Sequence, residues 1–257
     1  TDPNNALYRQ TQRTTLERYR ALPSAHTRYK ESAVFYFNLG YLYQEMKEYK
    51  EAVAAYELAL DLNPNYTSAL YNLGNIYEQL GQIRQALFLY EKVMGLNPRH
   101  AEAYLNSGVI LTRMRDYPKA TEYYEKALRI NPKLANAYFN LGYVYEIKDE
   151  PQKAIDNYQK AVQVDPRHAE AYYNMGNVYA RLKQNDKAIA LYLKTVELNP
   201  QHVDAFVNLS ILSFRRKDYA QAIKYCDEAR ILGYKPPKEY LKALEKYRNG
   251  NKTVLQE

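Results

Sequence analysis

A period of 34 residues constrains this chain more than any other feature of its sequence. The segment ANAYFNLGYVYEIKDEPQKAIDNYQKAVQVDPRH recurs in altered form six times without a gap. The copies span residues 33–66, 67–100, 101–134, 135–168, 169–202 and 203–236. A fixed period of this length indicates one supersecondary unit per copy, which buries its apolar face against its neighbours. We therefore expect stacked repeats rather than a domain built around one central core.

Fixed positions within each copy predict a pair of helices. The eighth residue is Gly in five copies and Ser210 in the sixth, the twentieth is always Ala, and the twenty-fourth is Tyr in five copies and Cys226 in the sixth. Small residues let two helices approach closely, and an aromatic ring fills the space beside them. An Asn-Pro or Asp-Pro pair ends the first five copies, where proline stops a helix. Asp116, Asp149 and Asp218 lie where the second helix starts and are candidate N-caps.

This pattern resembles the tetratricopeptide repeat (TPR), a helix-turn-helix unit of 34 residues with a closing proline. The resemblance covers residues 33–236, and the sixth copy departs from it by losing its Gly, its Tyr and its Asn-Pro ending. It implies an all-α fold, a right-handed α-solenoid of six units that serves as a scaffold for protein–protein interaction. The stretch AEAYYNMGNVY in the fifth copy is similar to the repeats of O-GlcNAc transferases.

Segments outside the repeats are predicted to close the two ends of the stack. Residues 1–32 form an N-terminal extension with a helix over 5–21, which either caps the first repeat or docks a partner. Gly233 is expected to end the sixth repeat in a left-handed conformation. Residues 237–257 are expected to hold a capping helix over 238–248 and a frayed tail.

Composition argues against several classes of partner. The net charge is +7, but residues 1–32 and 235–257 each hold six Lys/Arg against three Asp/Glu, so the repeats are nearly neutral. A basic patch over the repeats, as nucleic acid binding would favour, is not indicated.

No stretch approaches the ~20 apolar residues of a membrane span. The single cysteine, Cys226, cannot form an intrachain disulfide and is expected to be a small buried residue. The sequence does not assign the protein to a cellular compartment.

The sequence gives no constellation for catalysis. Three of the four histidines, His100, His168 and His202, stand at the last position of a copy, too far apart for one metal ion. The fourth is His26, and no phosphate-binding loop, nucleophile elbow or HExxH pattern occurs. We therefore expect no enzyme, no cofactor and no metal site.

One polar residue type recurs where the family resemblance places the ligand-binding groove. The sixth residue of every copy is asparagine, and we call this set the asparagine row. Its members are Asn38, Asn72, Asn106, Asn140, Asn174 and Asn208. An amide side chain carries a donor and an acceptor, so it can pair with the backbone of an extended peptide whatever the peptide's side chains. Alternatively, the amides bond the adjacent helix and fix packing.

The resemblance places aromatic and basic residues beside the asparagine row. One place before the row stand Phe37, Tyr71, Phe139 and Tyr173, and three places after it stand Tyr41 and Tyr143. Arg113, Arg181 and Arg215 share the thirteenth position of the later copies and are candidates for binding acidic side chains of a ligand. The competing interpretation is that the rings pack against the next repeat and the arginines are simply solvated.

These observations favour a non-catalytic scaffold that binds a protein or peptide in extended conformation. Two alternatives stay open. The chain opens with Thr1 rather than Met, which suits a substrate-recognition domain excised from a larger enzyme such as a glycosyltransferase. The other alternative is a self-assembling structural scaffold in which the basic residues 1–32 of one copy enter the groove of another.

Overall fold

The computed structural model describes residues 32–250, so the predictions for residues 1–31 and 251–257 lie outside the described part of the chain. Within this range the chain forms thirteen α-helices and no strand, which confirms the all-α prediction. The helices are α1 (Ala33–Glu45), α2 (Tyr49–Leu62), α3 (Thr67–Gln79), α4 (Ile83–Leu96), α5 (Ala101–Arg113), α6 (Tyr117–Ile130), α7 (Ala135–Ile147), α8 (Pro151–Val164), α9 (Ala169–Arg181), α10 (Asn185–Leu198), α11 (Val203–Arg215), α12 (Tyr219–Ile231) and α13 (Lys238–Gly250).

Consecutive helices pack as pairs, and the pairs are grouped in two compact bodies. The N-terminal body ends at Pro132 and holds α1 to α6, and the C-terminal body starts at Lys133 and holds α7 to α13. Within each body a helix pair also packs on the next pair, as expected for a TPR solenoid. The last helix packs on α12, where buried Leu244 meets Ala222 and Cys226.

Glycine at the eighth position of a repeat allows the tyrosine of the second helix to lie against the first. A methyl group added to Gly108 would lie 2.6 Å from the Tyr124 ring, and one added to Gly74 would lie 2.7 Å from the Tyr90 ring. All five tyrosines at this position are almost completely buried. They are Tyr56, Tyr90, Tyr124, Tyr158 and Tyr192. The two helices of each of these repeats therefore touch through a ring that a side chain at the glycine would displace.

The turn within each repeat uses one residue in the left-handed conformation. Only the second repeat has glycine there, Gly81 with φ of 75°, whereas Lys183 has φ of 60° and Asp149 has φ of 56°. The prediction that Asp149 caps α8 is therefore wrong, since Asp149 belongs to the turn and Glu150 precedes the helix without a side-chain cap. Asp116 and Asp218 do cap their helices, which confirms the other two predictions.

The turn between repeats combines an extended residue with the proline that follows it. Asn97 has φ of −133° and ψ of 88°, the region that a following proline favours. Its Oδ1 accepts a hydrogen bond from the Arg99 amide at 3.1 Å. In the sixth repeat, which lacks this pair, Gly233 ends the helix with φ of 95°, as predicted.

Candidate functional site

Within each body, members of the asparagine row lie where the first helix of one repeat meets the preceding repeat. Asn72 Nδ2 donates to the Tyr56 hydroxyl at 3.2 Å, and Asn106 Nδ2 donates to the Tyr90 hydroxyl at 3.5 Å. Both asparagines are half-buried, whereas Asn38, which no described repeat precedes, is exposed. The amide nitrogen therefore ties one repeat to the next, as the packing interpretation of the row expects.

In the C-terminal body, asparagines of the row influence the pKa of the buried tyrosines in the same way. Burial raises the pKa of Tyr158, and the Asn174 amide opposes this effect in part. Burial likewise raises the pKa of Tyr192, with an opposing contribution from Asn208. These hydroxyl groups are neutral donors at physiological pH and act as fixed partners within the row.

Asn106 belongs to a group of four side chains that we call the N-terminal polar cluster: Tyr71, Asn75, Tyr90 and Asn106. Asn106 Nδ2 lies 3.2 Å from the Tyr71 hydroxyl and 3.2 Å from Asn75 Oδ1. The Tyr90 hydroxyl donates to the same Asn75 oxygen at 2.7 Å. The cluster joins α3, α4 and α5 through side chains alone.

A second group of four, the C-terminal polar cluster, repeats this arrangement 102 residues later: Tyr173, Asn177, Tyr192 and Asn208. Asn208 Nδ2 lies 3.4 Å from the Tyr173 hydroxyl and 3.2 Å from Asn177 Oδ1. The Tyr192 hydroxyl donates to Asn177 Oδ1 at 2.8 Å. Each body therefore holds one copy of the same hydrogen-bonded arrangement.

The amide nitrogen and the amide oxygen of Asn106 and Asn208 differ in what they contact. The Nδ2 groups of Asn106 and Asn208 have acceptors within the protein. Their Oδ1 atoms accept no hydrogen bond from residues 32–250. A side-chain amide oxygen has two lone pairs, so both asparagines keep an unused acceptor. Because both residues are half-buried, they are not fully enclosed by the protein.

The aromatic residues that precede the row are half-buried and in contact with other rings. The centre of the Phe37 ring lies 5.8 Å from that of Tyr56 and 5.0 Å from that of Tyr66. Tyr71 lies 5.8 Å from Tyr90 by the same measure. Phe139 and Tyr173 pack in the same way on Tyr158 and Tyr192. These four rings contribute to packing, with one part of each left accessible.

Three histidines lie against these rings, a role that the sequence did not indicate. His100 packs on Tyr71, His168 on Phe139 and His202 on Tyr173, with ring centres 4.4–4.9 Å apart. The Nδ1 atom of each histidine also accepts the backbone N–H three residues later and so caps the next helix. Their recurrence at the last position of a repeat was the available signal, because that position immediately precedes a helix.

Two tyrosines three places after the row are the accessible aromatic surface beside it. Tyr41 is 47% exposed and Tyr143 is 44% exposed. The equivalent positions in the next repeats are Asn75 and Asn177, which belong to the polar clusters. Each body therefore has one exposed tyrosine next to its part of the asparagine row, and one polar cluster.

The three arginines at the thirteenth position differ in their surroundings. Arg113 pairs with Glu78 at 3.3 Å, and Arg181 pairs with Asp149 at 3.7 Å. Arg215 is exposed and makes no ion pair with a described residue. Exposed pairs contribute about 0–1 kcal/mol, so Arg113 and Arg181 are only weakly held. Of the three, only Arg215 has no carboxylate partner within residues 32–250.

Family profiles described as tetratricopeptide repeat match the chain at residues 33–66 and 67–100, 99–167 and 133–201, and 173–236. The matches together span the whole repeat region. The chain belongs to the tetratricopeptide repeat family. TPR units are in general non-catalytic, and they build scaffolds for interaction with other proteins.

Solved structures with a similar fold include several TPR proteins. A crystal structure of MamA matches with a TM-score of 0.60 and 27% identity, over 68% of this chain and 96% of that protein. YrrB, described as a TPR protein with an unusual peptide-binding site, matches with a TM-score of 0.59 and 25% identity, over 77% and 98%. Pseudomonas aeruginosa PilF, at 19% identity, has a TM-score of 0.72 over 85% and 99% and shows the fold alone. A comparison with curated protein sequences finds no match.

Within residues 32–250 no three His, Cys, Asp or Glu side chains are grouped so as to hold a metal ion. None of the described helices is long and apolar enough to cross a membrane. Burial raises the pKa of the Cys226 thiol, which keeps it protonated.

Proposed function

We propose that this TPR protein binds an extended segment of a partner protein along the face that carries the asparagine row. Backbone N–H groups of the segment donate to the Oδ1 atoms of the row. The observation that carries this proposal is that Asn106 and Asn208 each have an internally bonded nitrogen and an oxygen that accepts no hydrogen bond from residues 32–250. The same side chain then both joins two repeats and recognises the ligand.

The spacing of the row suits a peptide backbone. Neighbouring TPR helices lie about 8–10 Å apart, and an extended peptide advances about 3.3 Å per residue. Successive asparagines within one body would therefore meet about every third residue of the ligand. Backbone pairing gives affinity without a required sequence, as in other strand-like recognition modes.

Side chains near the row supply contacts with the ligand's own side chains. The exposed rings of Tyr41 and Tyr143 offer apolar and stacking surface at low conformational cost. Arg215 offers a charge for an acidic ligand residue beside the C-terminal polar cluster. YrrB, which resembles this chain over most of its length, is itself described as having a peptide-binding site, and this likeness supports the proposal.

The test is a double-mutant cycle between the protein and the backbone of its ligand. Peptides are first selected on the whole chain from a random 12-residue display library. Each amide of the best binder is then replaced by an ester, which removes one N–H donor. We expect one ester position to weaken binding to the native chain about 3- to 10-fold but to have little effect on Asn106→Ala, since one hydrogen bond contributes ~0.5–1.5 kcal/mol.

Tyr90→Phe is the matched control. It removes the hydroxyl that bonds Asn75 and contacts Asn106 Nδ2, but it leaves the Asn106 oxygen in place. We expect a lower urea midpoint with the ester effect retained. Ester effects that are equal in the native chain and Asn106→Ala, at every position of the peptide, would contradict the proposal and leave the row a packing feature.

A further inference from the structure

A cavity of about 220 Å³ lies in the C-terminal body, among α11, α12 and the start of α13. Ser210, Cys226 and Ala229 are buried at its floor. Val207 and Ile211 are half-buried and Pro237 is exposed, so the cavity reaches the surface between them. Its lining is almost entirely apolar.

Two substitutions in the sixth repeat explain why the cavity exists. In the other five repeats a tyrosine fills this region, and a glycine opposite makes room for the ring. Here the tyrosine is replaced by Cys226 and the glycine by Ser210, so a large ring is missing. Tyr240 from α13 reaches the site, and its hydroxyl bonds Ser210 Oγ at 2.7 Å. The rest of the space is unfilled.

Two of the three hydroxyl groups in the lining, those of Ser210 and Tyr240, are already paired, and the third belongs to Tyr234. Ser210 Oγ donates to the Ala222 carbonyl at 2.7 Å, so Tyr240 is the donor in the bond between the two hydroxyls. The hydrogens of the Ser210 and Tyr240 hydroxyls are therefore used within the protein. An ordered water needs two to four polar partners, so this mostly apolar lining holds water less well than it holds an apolar group. The cavity suits an apolar group about the size of a leucine, methionine or phenylalanine side chain.

The mouth of the cavity adjoins the last member of the asparagine row on α11. Val207 and Ile211 stand one place before and three places after Asn208 on α11. Val207 and Ile211 are four apart, so they share a face of α11 and frame one side of the cavity, and Ile211 lies one turn from Asn208. A peptide bonded to the Asn208 oxygen would therefore pass close to the mouth of the cavity.

From this placement we infer that the cavity is an anchor pocket for one bulky apolar side chain of the bound segment. The inference rests on the proposed function and adds a specificity to it: a ligand recognised through its backbone along the row and through one apolar residue beside Asn208. The position next to the row, the volume and the apolar lining all favour a ligand side chain as the occupant.

The test uses peptides selected on the whole chain from a random 12-residue display library. We expect the binders to share one Leu, Ile, Met or Phe whose replacement by Ala weakens binding about ten- to a hundred-fold, the value of burying such a side chain. Cys226→Leu fills the floor of the cavity and should bind the parent and Ala peptides alike. Cys226→Ala leaves the cavity open and should retain the difference.

Ala229→Val fills the same cavity from another position, so the test does not depend on the folding of one variant. Helical content and melting temperature identify any variant that fails to fold. A preference for the apolar residue that persists in folded Cys226→Leu and Ala229→Val would overturn the inference.

Cys226 provides a second readout because it is the only cysteine of the chain and is 2% exposed. We expect the parent peptide to slow its alkylation by iodoacetamide at pH 8.5 several-fold, and the Ala peptide to leave the rate unchanged. Protection by indole without protection by any peptide would instead assign the cavity to small molecules and overturn the inference. If Asn106→Ala still abolishes the ester effect while no apolar anchor is found, the anchor pocket fails and the proposed function stands.

Discussion

At the residue scale, the contact between glycine and tyrosine in each of the first five repeats predicts a large effect of a small substitution. Gly108→Ala would place its methyl group 2.6 Å from the buried Tyr124 ring. Because the ring is enclosed on all sides, we expect a loss of about 1–3 kcal/mol in the free energy of unfolding, measured by urea denaturation.

Gly95 provides the matched control for this prediction. It also lies within a helix, but a methyl group added there meets no atom within 4 Å. Gly95→Ala should therefore raise the free energy of unfolding by about 0.5–1 kcal/mol through the helix propensity of alanine. Similar effects of the two substitutions would show that propensity, and not the contact with Tyr124, decides the result.

The asparagine row shows what the sequence could and could not predict at this scale. The period of 34 residues identified the position, because every copy repeats it. It could not show which end of the amide is used inside the protein, since the acceptors for Asn106 come from Tyr71 and Asn75 of the previous repeat. Whether the oxygen binds a ligand stays a prediction for the ester cycle to decide.

At the scale of elements, the turns inside the repeats hold strain that can be removed. Lys183 adopts φ of 60°, a conformation that costs a residue with a Cβ about 1–2 kcal/mol. Glycine avoids this cost but loses about 0.5–1 kcal/mol through its freedom in the unfolded chain. We therefore expect Lys183→Gly to raise the free energy of unfolding by a few tenths to about 1 kcal/mol, measured as a higher urea midpoint.

Lys183→Ala is the control, because it removes the exposed charge and keeps the Cβ. It should leave the midpoint nearly unchanged. The reverse substitution at the equivalent turn, Gly81→Ala, introduces a Cβ at φ of 75° and should lower the midpoint. A loss of stability in Lys183→Gly would mean that the left-handed turn is not strained.

The helices were predictable from the sequence, but some features between them were not. Periodic small residues and closing prolines predict a helix pair in each copy, and the all-α fold is confirmed. The sequence misplaced Asp149 because an acidic residue before a helix suits both a cap and a turn. The cavity escaped prediction because it depends on how far α13, through Tyr240, refills the space that Cys226 leaves.

At the scale of the whole molecule, the two bodies carry the same set of site residues 102 residues apart. Phe37 and Tyr41 of the N-terminal body correspond to Phe139 and Tyr143 of the C-terminal body, and the polar clusters correspond in the same way. The chain therefore has a second period of three TPR units, 102 residues, in addition to the period of 34 residues. Each body holds the groups that the proposed function requires, and only the C-terminal body adds the cavity.

Buried tyrosines in both bodies make the stability of the whole chain sensitive to alkaline pH. Burial raises the pKa of Tyr124 to about 12, and it raises the pKa of Tyr56, Tyr90, Tyr158 and Tyr192 further. In the unfolded chain a tyrosine ionises near pH 10. Because the folded pKa is higher, the stabilisation is complete below pH 10 and is lost as the pH rises towards 12.

We therefore expect a constant urea midpoint between pH 8 and pH 9 and a steep fall above pH 10. At pH 11 the ionisation of Tyr124 alone would favour unfolding by about 1 kcal/mol. Tyr124→Phe is the control: it loses the hydroxyl contact with Thr112 at every pH, but its stability should fall less between pH 9 and pH 11 than that of the native chain. Phenolate absorbance, followed in the same samples, should show these tyrosines ionising only as the chain unfolds. If they titrate near pH 10 in the folded chain, solvent reaches the rings and the packing of glycine against tyrosine is looser than the contacts require.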